Sequence, residues 1–315
     1  MKETKIKWIQ KGGRILSSWK GRIHLSPDFT LSSLQESLQP PLQAIHRSKR
    51  SFIARKDLSQ EDSPLLLKFY VSRNFGQAPK AFWNGLYLAS QGFPTPKPWA
   101  YLSLQHLGIF PGPSLLITPF LCHSLELHWF VKYYFSHEEN LQKKENFLSS
   151  LAEFYSSLVK QKLFHHDLSP QNVLAKTLEE KFIFYLVDLE DIQWVSYFTP
   201  NYTLRNLVQL LDLPRWIGPE DRSIFLNYLQ KNLPKGNLAI ENLFLFLDQL
   251  EKGLAKRRKK RVLRDGKDWL FEAEEVPGKG KLPSKMNGPT LPPKDTSLPK
   301  EWSQLQDLVE SFQKE

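Results

Sequence analysis

The chain has 315 residues, a length that fits one or two domains. Its hydrophobic content of 41% and aromatic content of 13% allow a sizeable core and exclude wholesale disorder. The single cysteine, Cys122, excludes an intrachain disulfide and any metal site built from several cysteines, and it favours a reducing compartment. Because no apolar run is long enough for a signal peptide or a membrane span, we expect a cytoplasmic protein.

The net charge of +10 is concentrated in one short window. Residues 256–267 hold eight basic residues and one acid, and so account for seven of the ten charges. A run such as Lys256–Arg261 is often a solvated helix end, but it can also bind anionic lipid headgroups or nucleic acid. The basic character is therefore a property of one patch and does not by itself indicate a nucleic-acid-binding protein.

In chain order, the first predicted elements form a sheet-rich region. From Gln43, the segments QAIHRSKRSFIAR and LLLKFYV predict two or three antiparallel strands separated by a polar turn. Residues 78–91 have the spacing of a helix, which Gly92 ends, and SLLITPFL predicts a further strand. The apolar positions of that helix are Ala81, Phe82, Leu86, Tyr87 and Ala89.

The remainder of the chain is predicted to be mainly helical. Residues 143–162 form the strongest amphipathic helix of the sequence. Its apolar stripe consists of Phe147, Leu148, Leu151, Phe154, Tyr155, Leu158 and Val159. The strands VLAK and FIFYLVDL follow a polar loop, and further helices are predicted at 201–213, 219–232, 239–263 and 302–313. Residues 277–300 hold six prolines and five lysines, a composition typical of a tail.

The polar loop carries the most informative residues of the sequence. Within HHDLSPQNVL, Asp167 and Asn172 are five positions apart, and Asp188 follows the apolar strand 182–187. Phosphoryl transfer from ATP needs one carboxylate beside the acceptor hydroxyl, and a carboxylate and an amide oxygen that hold Mg²⁺ on the phosphates. These three residues can supply those groups, and Lys68 in LLLKFYV can supply the cation that binds the phosphates.

Each of these residues also has a purely structural interpretation. Asp167 and Asn172 could cap a turn, Asp188 could cap a strand end, and most strand lysines face solvent. The agreement of residue type, spacing and flanking elements favours the functional interpretation. We expect His165 to brace the catalytic loop from the core side. A metallohydrolase site at His165–Asp167 is disfavoured because the sequence has no H-E-x-x-H motif or comparable second cluster.

Two features of a typical nucleotide site are missing from the sequence. No G-x-G-x-x-G loop is present, and the first two strands are joined instead by HRSKRS. Backbone N–H groups of this turn, together with Ser48, Lys49 and Arg50, are candidates for covering phosphates, although a solvated hairpin tip is the alternative. The helix after Lys68 has no acid to pair with that lysine, so Glu190 or Asp191 becomes a candidate partner.

Four segments together resemble the bacterial lipopolysaccharide kinase family, the Kdo and heptose kinases of the lipid A inner core, over about residues 43–250. They are the HRSKRS turn with LLLKFYV, then AFWNGLYLASQGFPTPKPWA, HHDLSPQNVL and FYLVDLEDIQW. The third contains the H-x-D-L-x-x-x-N pattern of kinase catalytic loops. The resemblance implies an α+β, protein-kinase-like bilobal fold with a small sheet-rich N-lobe, a larger helical C-lobe and an ATP cleft.

The resemblance also implies ATP and Mg²⁺ as cofactors, Asp167 as the base, Asn172 and Asp188 as metal ligands, and Lys68 as the phosphate-binding lysine. It predicts an N-terminal extension at 1–42, an N-lobe at 43–122, a C-lobe with a basic C-terminal helix at 123–270, and a Pro/Lys-rich tail at 271–315.

The predicted activity is transfer of the γ-phosphate of ATP to a sugar hydroxyl of the lipopolysaccharide inner core. Lys256–Arg261 would bind an anionic membrane surface, which would place the protein on the inner face of the inner membrane, and nucleic acid is not expected as a partner. The alternatives are a kinase with a protein or small-molecule acceptor, and a nucleotide-binding pseudokinase scaffold.

Overall fold

A computed structural model describes residues 4–5, 19–58, 63–71, 75–106, 110–213, 217–233, 243–265, 297–299 and 302–313. The chain divides into two compact units. The first unit combines Met1–Cys122 with Pro289–Glu315, and the second is His123–Gly288. Within the described ranges, none of the helices combines the length and the apolar content that crossing a membrane requires.

The first unit is built around a seven-stranded antiparallel sheet with the order β1-β2-β6-β7-β5-β4-β3. The strands are β1 (Thr4–Lys5), β2 (Trp19–Leu25), β3 (Gln43–Arg47), β4 (Ser51–Lys56), β5 (Leu65–Tyr70), β6 (Ala100–His106) and β7 (Phe110–Pro119). The central strand β7 buries every residue from 112 to 118, as expected for a strand covered on both faces. In β4, buried Phe52, Ala54 and Lys56 alternate with more exposed residues, because successive side chains point to opposite faces.

Three helices pack on this sheet: α1 (Leu31–Leu38), α2 (Gln77–Ser90) and α8 (Trp302–Gln313). Trp302 of α8 is 2% exposed and belongs to the same core as Leu34 and Leu38 of α1. Its indole N–H donates to the Leu38 carbonyl at 3.4 Å, and its ring centroid lies 5.8 Å from that of Phe69. The last described helix of the chain therefore completes the core of the first unit.

The buried face of α2 differs from the predicted one. Tyr87 is 50% exposed, whereas the neighbouring positions Asn84 and Gly85 are buried. Phe82 and Leu88 are fully buried beside them, so the buried face of α2 combines large apolar side chains with small and polar ones.

The second unit contains two small antiparallel sheets and five helices in its described part. The strands are β8 (Leu125–Glu126), β9 (Leu163–His165), β10 (Val173–Leu178), β11 (Lys181–Leu186) and β12 (Ile192–Trp194). The helices are α3 (Leu127–Tyr134), α4 (Lys144–Lys160), α5 (Pro200–Leu210), α6 (Pro219–Asn232) and α7 (Leu243–Asp265). The sheets have the orders β11-β10-β8 and β12-β9. All seven predicted stripe residues of α4 are buried, which confirms that helix.

The two units have boundaries that differ from the predicted domains at both ends of the chain. The division after Cys122 coincides with the predicted lobe boundary. However, β2 and α1, which fall in the predicted extension 1–42, belong to the sheet and core of the first unit. Within the predicted tail 271–315, residues 271–296 lie outside the described residues, and α8 packs on the first unit.

Candidate active site

The predicted catalytic loop lies in the second unit, between β9 and β10. His165, at the end of β9, is fully buried, and its Nδ1 accepts the backbone N–H of Asp167 at 3.1 Å. Burial lowers the pKa of His165, so the ring is neutral and carries its proton on Nε2. That nitrogen approaches the backbone of Val187 without reaching full hydrogen-bond geometry. His165 thus lies on the core side of the loop and fixes the backbone at Asp167.

The β10–β11 hairpin brings the two predicted metal ligands together. Val173 pairs with Leu186, and the Asn172 carbonyl accepts the N–H of Val187 at 3.0 Å, one residue before Asp188. The side-chain Nδ2 of Asn172 donates to the Asp167 carbonyl at 2.8 Å. The loop is therefore closed on itself, with Asp167, Asn172 and Asp188 fixed at one end of the same hairpin.

Asp188 has a left-handed backbone, with φ 57° and ψ 50°. This conformation is unfavourable for most residues with a side chain, and aspartate tolerates it better than others because its short carboxyl can bond locally. The turn that follows is held by the N–H of Asp191, which donates to the Asp188 carbonyl at 3.1 Å, and by the N–H of His166, which donates to the Asp191 carbonyl at 2.8 Å. The strained residue is thus tied to the predicted catalytic loop.

Two side chains of helix α5, which the sequence analysis did not identify, form hydrogen bonds with the backbone of the predicted catalytic loop. Asn206 is fully buried, and its Nδ2 donates to the His165 carbonyl at 2.6 Å. Gln209, one turn later, accepts the N–H of Leu168 at 2.9 Å and donates to the His166 carbonyl at 3.1 Å. Because these bonds go to backbone atoms some 40 residues away in sequence, no local motif identifies them.

Two further ionisable groups lie near the loop. Glu126 of β8 pairs with Leu174 of β10, and burial together with repulsion from Asp188 raises the pKa of its carboxyl to about 7. His128 is 3% exposed, and burial lowers the pKa of its ring to about 3, so that it is neutral at physiological pH. Neither residue was predicted, since a single Glu and a single His at a helix start carry no specific pattern.

The basic run of the sequence lies at the end of α7 and is partly buried. Asp212, which follows α5 and is 1% exposed, accepts Arg257 Nε at 2.9 Å and the two terminal nitrogens of Arg261 at 2.6 and 3.1 Å. Arg258 Nε lies 3.9 Å from the same carboxyl group. The prediction that all of Lys256–Arg261 faces a membrane is therefore wrong for Arg261, which is 7% exposed because its guanidinium binds a buried carboxylate.

The remaining predicted residues lie in the first unit. Lys68 of β5 is 8% exposed, and its Nζ lies 5.1 Å from the centroid of the Tyr70 ring on the same face of the strand. Such burial of an amine among aromatic carbons is unusual for a strand lysine that serves only solubility. Along its whole described length, α2 carries no acidic residue, so the carboxylate partner expected from that helix is missing.

The turn between β3 and β4 is held by the Ser48 hydroxyl. Its Oγ accepts the backbone N–H groups of Arg50 at 3.1 Å and Ser51 at 3.0 Å, while the Ser48 N–H donates to the Ser51 carbonyl at 2.9 Å. Two of the turn N–H groups that were candidates for covering phosphates, those of Arg50 and Ser51, are therefore occupied within the turn. The side chains of Lys49 and Arg50 are exposed at its tip.

The comparisons with known proteins identify the fold. No family model matches the chain, and no curated protein matches it in sequence. The solved structure of WaaP in complex with acyl carrier protein aligns with a TM-score of 0.54 at 16% identity, covering 75% of this chain and 98% of that one. Two double mutants of the PknI kinase domain of Mycobacterium tuberculosis align over 67% of this chain and 94% of theirs, at 11% and 10% identity. Their TM-score of 0.37 is too low to carry an argument.

At 16% identity, the match to WaaP establishes a fold and not an activity. The chain has an α+β, bilobal, protein-kinase-like fold, with a sheet-rich first unit and a second unit that contains most of the helices. The predicted fold class is confirmed, and so, at the level of the fold, is the resemblance on which it was based.

Proposed function

We propose that the protein is an ATP-dependent phosphotransferase that phosphorylates a sugar hydroxyl, Kdo or heptose, of the lipopolysaccharide inner core. The observation that carries the proposal is the joint placement of Asp167, Asn172 and Asp188 by one hairpin and one loop. The choice of acceptor is supported by the sequence resemblance over residues 43–250 and by the fold shared with WaaP.

In this proposal, Asp167 accepts the proton of the acceptor hydroxyl. Its carboxylate is exposed, while its backbone is held by His165 and Asn172. The bond from Asn172 Nδ2 to the Asp167 carbonyl leaves the amide oxygen of Asn172 to face a ligand. That fixed orientation aligns the base without using its carboxylate oxygens.

Asn172 and Asp188 would hold Mg²⁺ through an amide and a carboxylate oxygen, the hard ligands that this ion prefers. In the described part of the chain, no group of three or more His, Cys, Asp or Glu side chains could hold a metal by itself. Two protein ligands fit an ion that keeps waters and binds substrate phosphates as well. Bound there, Mg²⁺ would neutralise the charge that develops on the transferring phosphoryl group.

Lys68 would bind the α- and β-phosphates of ATP, and the side chains of Lys49 and Arg50 would contribute further positive charge to phosphate binding. The proposal assigns these contacts to side chains because Ser48 already accepts the N–H groups of Arg50 and Ser51. An ammonium that is largely desolvated interacts more strongly with phosphate than one in water.

The decisive experiment measures transfer of labelled γ-phosphate from Mg-ATP to purified inner-core lipopolysaccharide. We expect label in the glycolipid with the parent protein and none with Asp167→Ala, while both bind ATP equally. Asp167→Asn is the matched control for shape, because it keeps the backbone contacts of the loop and removes only the base. Retained turnover in Asp167→Asn would contradict the assignment of the base.

A nucleotide-binding scaffold is the second candidate, and the acid-free sequence of α2 favours it. A scaffold would bind ATP without labelling any acceptor, whether lipopolysaccharide, protein or small sugar. If a protein or a free sugar is labelled instead, and Asp167→Ala abolishes that labelling, the protein is a kinase with a different acceptor.

We further propose that exposed lysines of the basic run, among them Lys256 and Lys259, attract the protein to anionic membranes. Each basic residue near such a surface contributes about 1 kcal/mol. The double variant Lys256→Gln/Lys259→Gln should therefore partition roughly 30-fold more weakly onto phosphatidylglycerol vesicles at low salt. The matched control is Lys160→Gln/Lys231→Gln, which removes two exposed lysines from other helices of the same unit. Equal partitioning of both double variants would remove the membrane argument.

A further inference from the structure

The C-terminal segment of the chain binds the end of β3 through the side chain of Arg47. Arg47 is the last residue of β3, directly before the turn that begins at Ser48, and its Nη1 donates to the Ser297 carbonyl. The same nitrogen lies 3.3 Å from the Ser297 hydroxyl. The guanidinium also lies 5.9 Å from the centre of the ring of Phe52, the residue of β4 that pairs with Arg47. Arg47 is thus oriented by β4 and bound by a segment 250 positions later in the chain.

The Ser297 end of this link is anchored in the core of the first unit. Leu298 packs against that core, Pro299 is buried, and the Pro299 carbonyl accepts the N–H of Trp302 at 2.9 Å. Trp302 begins α8 and is 2% exposed. The carbonyl that Arg47 binds therefore belongs to a segment that is fixed by apolar burial, and not to an exposed loop.

The opposite end of the β3–β4 hairpin is also tied to α8, through the C-terminal end of α1. Lys56, the last residue of β4, is 6% exposed, and its Nζ donates to the Gln39 carbonyl at 2.8 Å. The neighbouring Leu38 carbonyl accepts the indole N–H of Trp302 at 3.4 Å and Nε2 of Gln306 at 3.0 Å. The C-terminal segment is therefore bound directly at the turn of the hairpin and indirectly at its other end.

The two sides of the turn are constrained to different degrees. On the side of β5, the Arg50 carbonyl accepts the N–H of Val71 at 2.9 Å, so this side is joined to the sheet by its backbone. On the other side lies β3, the last strand in the order of the sheet, whose pairing with β4 is interrupted by a register shift. Such a shift disrupts the ladder locally, and an edge strand is paired along one side alone. The bond from Arg47 to Ser297 therefore fastens the less constrained side of the turn.

We propose that Arg47 is a positioning residue for nucleotide binding, and that residues 297–313 hold the β3–β4 turn in the conformation that binds phosphates. Arg47 acts through the turn, because its bond to Ser297 fixes the end of β3, from which Lys49 and Arg50 continue. On an unfixed turn, these two side chains would lose more conformational freedom when they bind phosphate, and would bind it more weakly. The inference rests on the proposed function, which assigns phosphate contacts to the turn, and adds the segment that controls them.

The first test measures equilibrium binding of a fluorescent, non-hydrolysable ATP analogue in the absence of acceptor. We expect Arg47→Gln to raise the Kd about fivefold, and Arg47→Lys, which keeps a donor for the Ser297 carbonyl, to restore most of the affinity. The matched control is Arg55→Gln, which removes a guanidinium from the opposite end of β4, where Arg55 binds the exposed Asp57 at 2.8 Å. A parent-like Kd in Arg47→Gln, or an equal rise in Arg55→Gln, would overturn the inference.

A second binding measurement separates the link from the charge of Arg47. Leu298→Ala loosens the Ser297 end of the link without changing any charge, so it should also raise the Kd. The double variant Arg47→Gln/Leu298→Ala should bind the analogue no more weakly than Arg47→Gln, because both changes break the same link. Additive losses would show that Arg47 acts through its charge, and would overturn the positioning role.

The third test follows the turn itself by hydrogen–deuterium exchange without ligand. We expect faster amide exchange over residues 44–56 in Arg47→Gln, and parent-like exchange in Arg55→Gln. Unchanged exchange in Arg47→Gln would overturn the positioning role.

The positioning role and the proposed kinase fail in different ways. Faster exchange and weaker analogue binding in Arg47→Gln, with no transfer of label to lipopolysaccharide by the parent, would retain the positioning role and refute the proposed acceptor. If the parent does transfer label, Arg47→Gln should raise the KM for ATP and leave kcat and the KM for the acceptor unchanged. Transfer by Arg47→Gln with a parent-like KM for ATP would retain the kinase and overturn the positioning role.

Discussion

Replacement of Asn206 tests whether α5 supports the proposed catalytic loop. The side chain is fully buried, and its Nδ2 makes the 2.6 Å bond to the His165 carbonyl, whereas its Oδ1 has no hydrogen-bond partner among the described residues. Asn206→Ala removes this donor and leaves a buried carbonyl without it, which costs about 2 kcal/mol of unfolding free energy. Asn206→Asp keeps the shape but places a carboxylate against a carbonyl, so we expect it to cost more, roughly 3–5 kcal/mol.

The assay is urea unfolding of parent, Asn206→Ala and Asn206→Asp at pH 8 and pH 5, with the transfer rate measured alongside. A buried carboxyl in the aspartate variant would have a pKa above that of the unfolded chain. The folded state would then hold more protons than the unfolded state, so the variant should lose stability as the pH rises. If the near-isosteric aspartate variant is as stable as the parent at pH 8, the donor role of Asn206 is refuted.

Three further substitutions probe packing, burial and phosphate binding. Gly253→Ala should lower the unfolding free energy by about 1 kcal/mol, since overpacking against Val208 exceeds the gain in helix propensity, and Val208→Ala should restore it. Burial keeps the ring of His128 neutral, so the fold loses stability as the pH falls below 6.5, where the same ring in the unfolded chain takes up a proton. Because its pKa is lowered to about 3, the parent should lose about 2 kcal/mol between pH 6.5 and 5, a loss that His128→Gln should remove. Lys68→Met should reduce transfer at least about 100-fold without lowering the melting temperature, because an apolar side chain of similar length replaces a buried ammonium.

Each of these has an outcome that contradicts it. No rescue by Val208→Ala would show that the close helix contact is not the cause of the Gly253 effect. Parallel pH profiles for parent and His128→Gln would show that the ring is protonated in the folded protein at pH 5. Parent-like transfer by Lys68→Met would remove the lysine from the proposed phosphate site.

The sequence predicts those parts of the fold that depend on local periodicity. The stripe of α4 is found as expected, because seven apolar residues at helical spacing leave one face to bury. The loop after His165 leads into strand β10, as the sequence indicates, whereas the short strand β9 before it was not predicted. Periodicity succeeds only in part at α2, where Phe82 is buried as predicted but Asn84 and Gly85 are buried and Tyr87 is not, since apolar spacing alone does not fix which side of the helix the sheet covers.

The parts that the sequence does not predict depend on contacts between distant residues. Asn206 bonds to a carbonyl 41 positions away, and neither partner has a distinctive neighbour in sequence. The Asp212 carboxylate binds the side chains of Arg257 and Arg261 in the basic run, yet it is 45 and 49 positions away from them in sequence. A charge count shows that the run exists, but only the packing of α5 against α7 shows that two of its arginines bind a buried carboxylate.

The return of α8 to the first unit affects the order in which the nascent chain folds. Trp302, Leu305 and Val309 complete a core whose other members, such as Leu34 and Phe69, are synthesised more than 200 residues earlier. On the ribosome, the first unit must wait with part of its apolar surface uncovered, while the second unit is contiguous and completes its core first. Translation order and folding order are therefore opposite, and a stop codon before residue 302 would leave the earliest-made unit as the one most prone to aggregate.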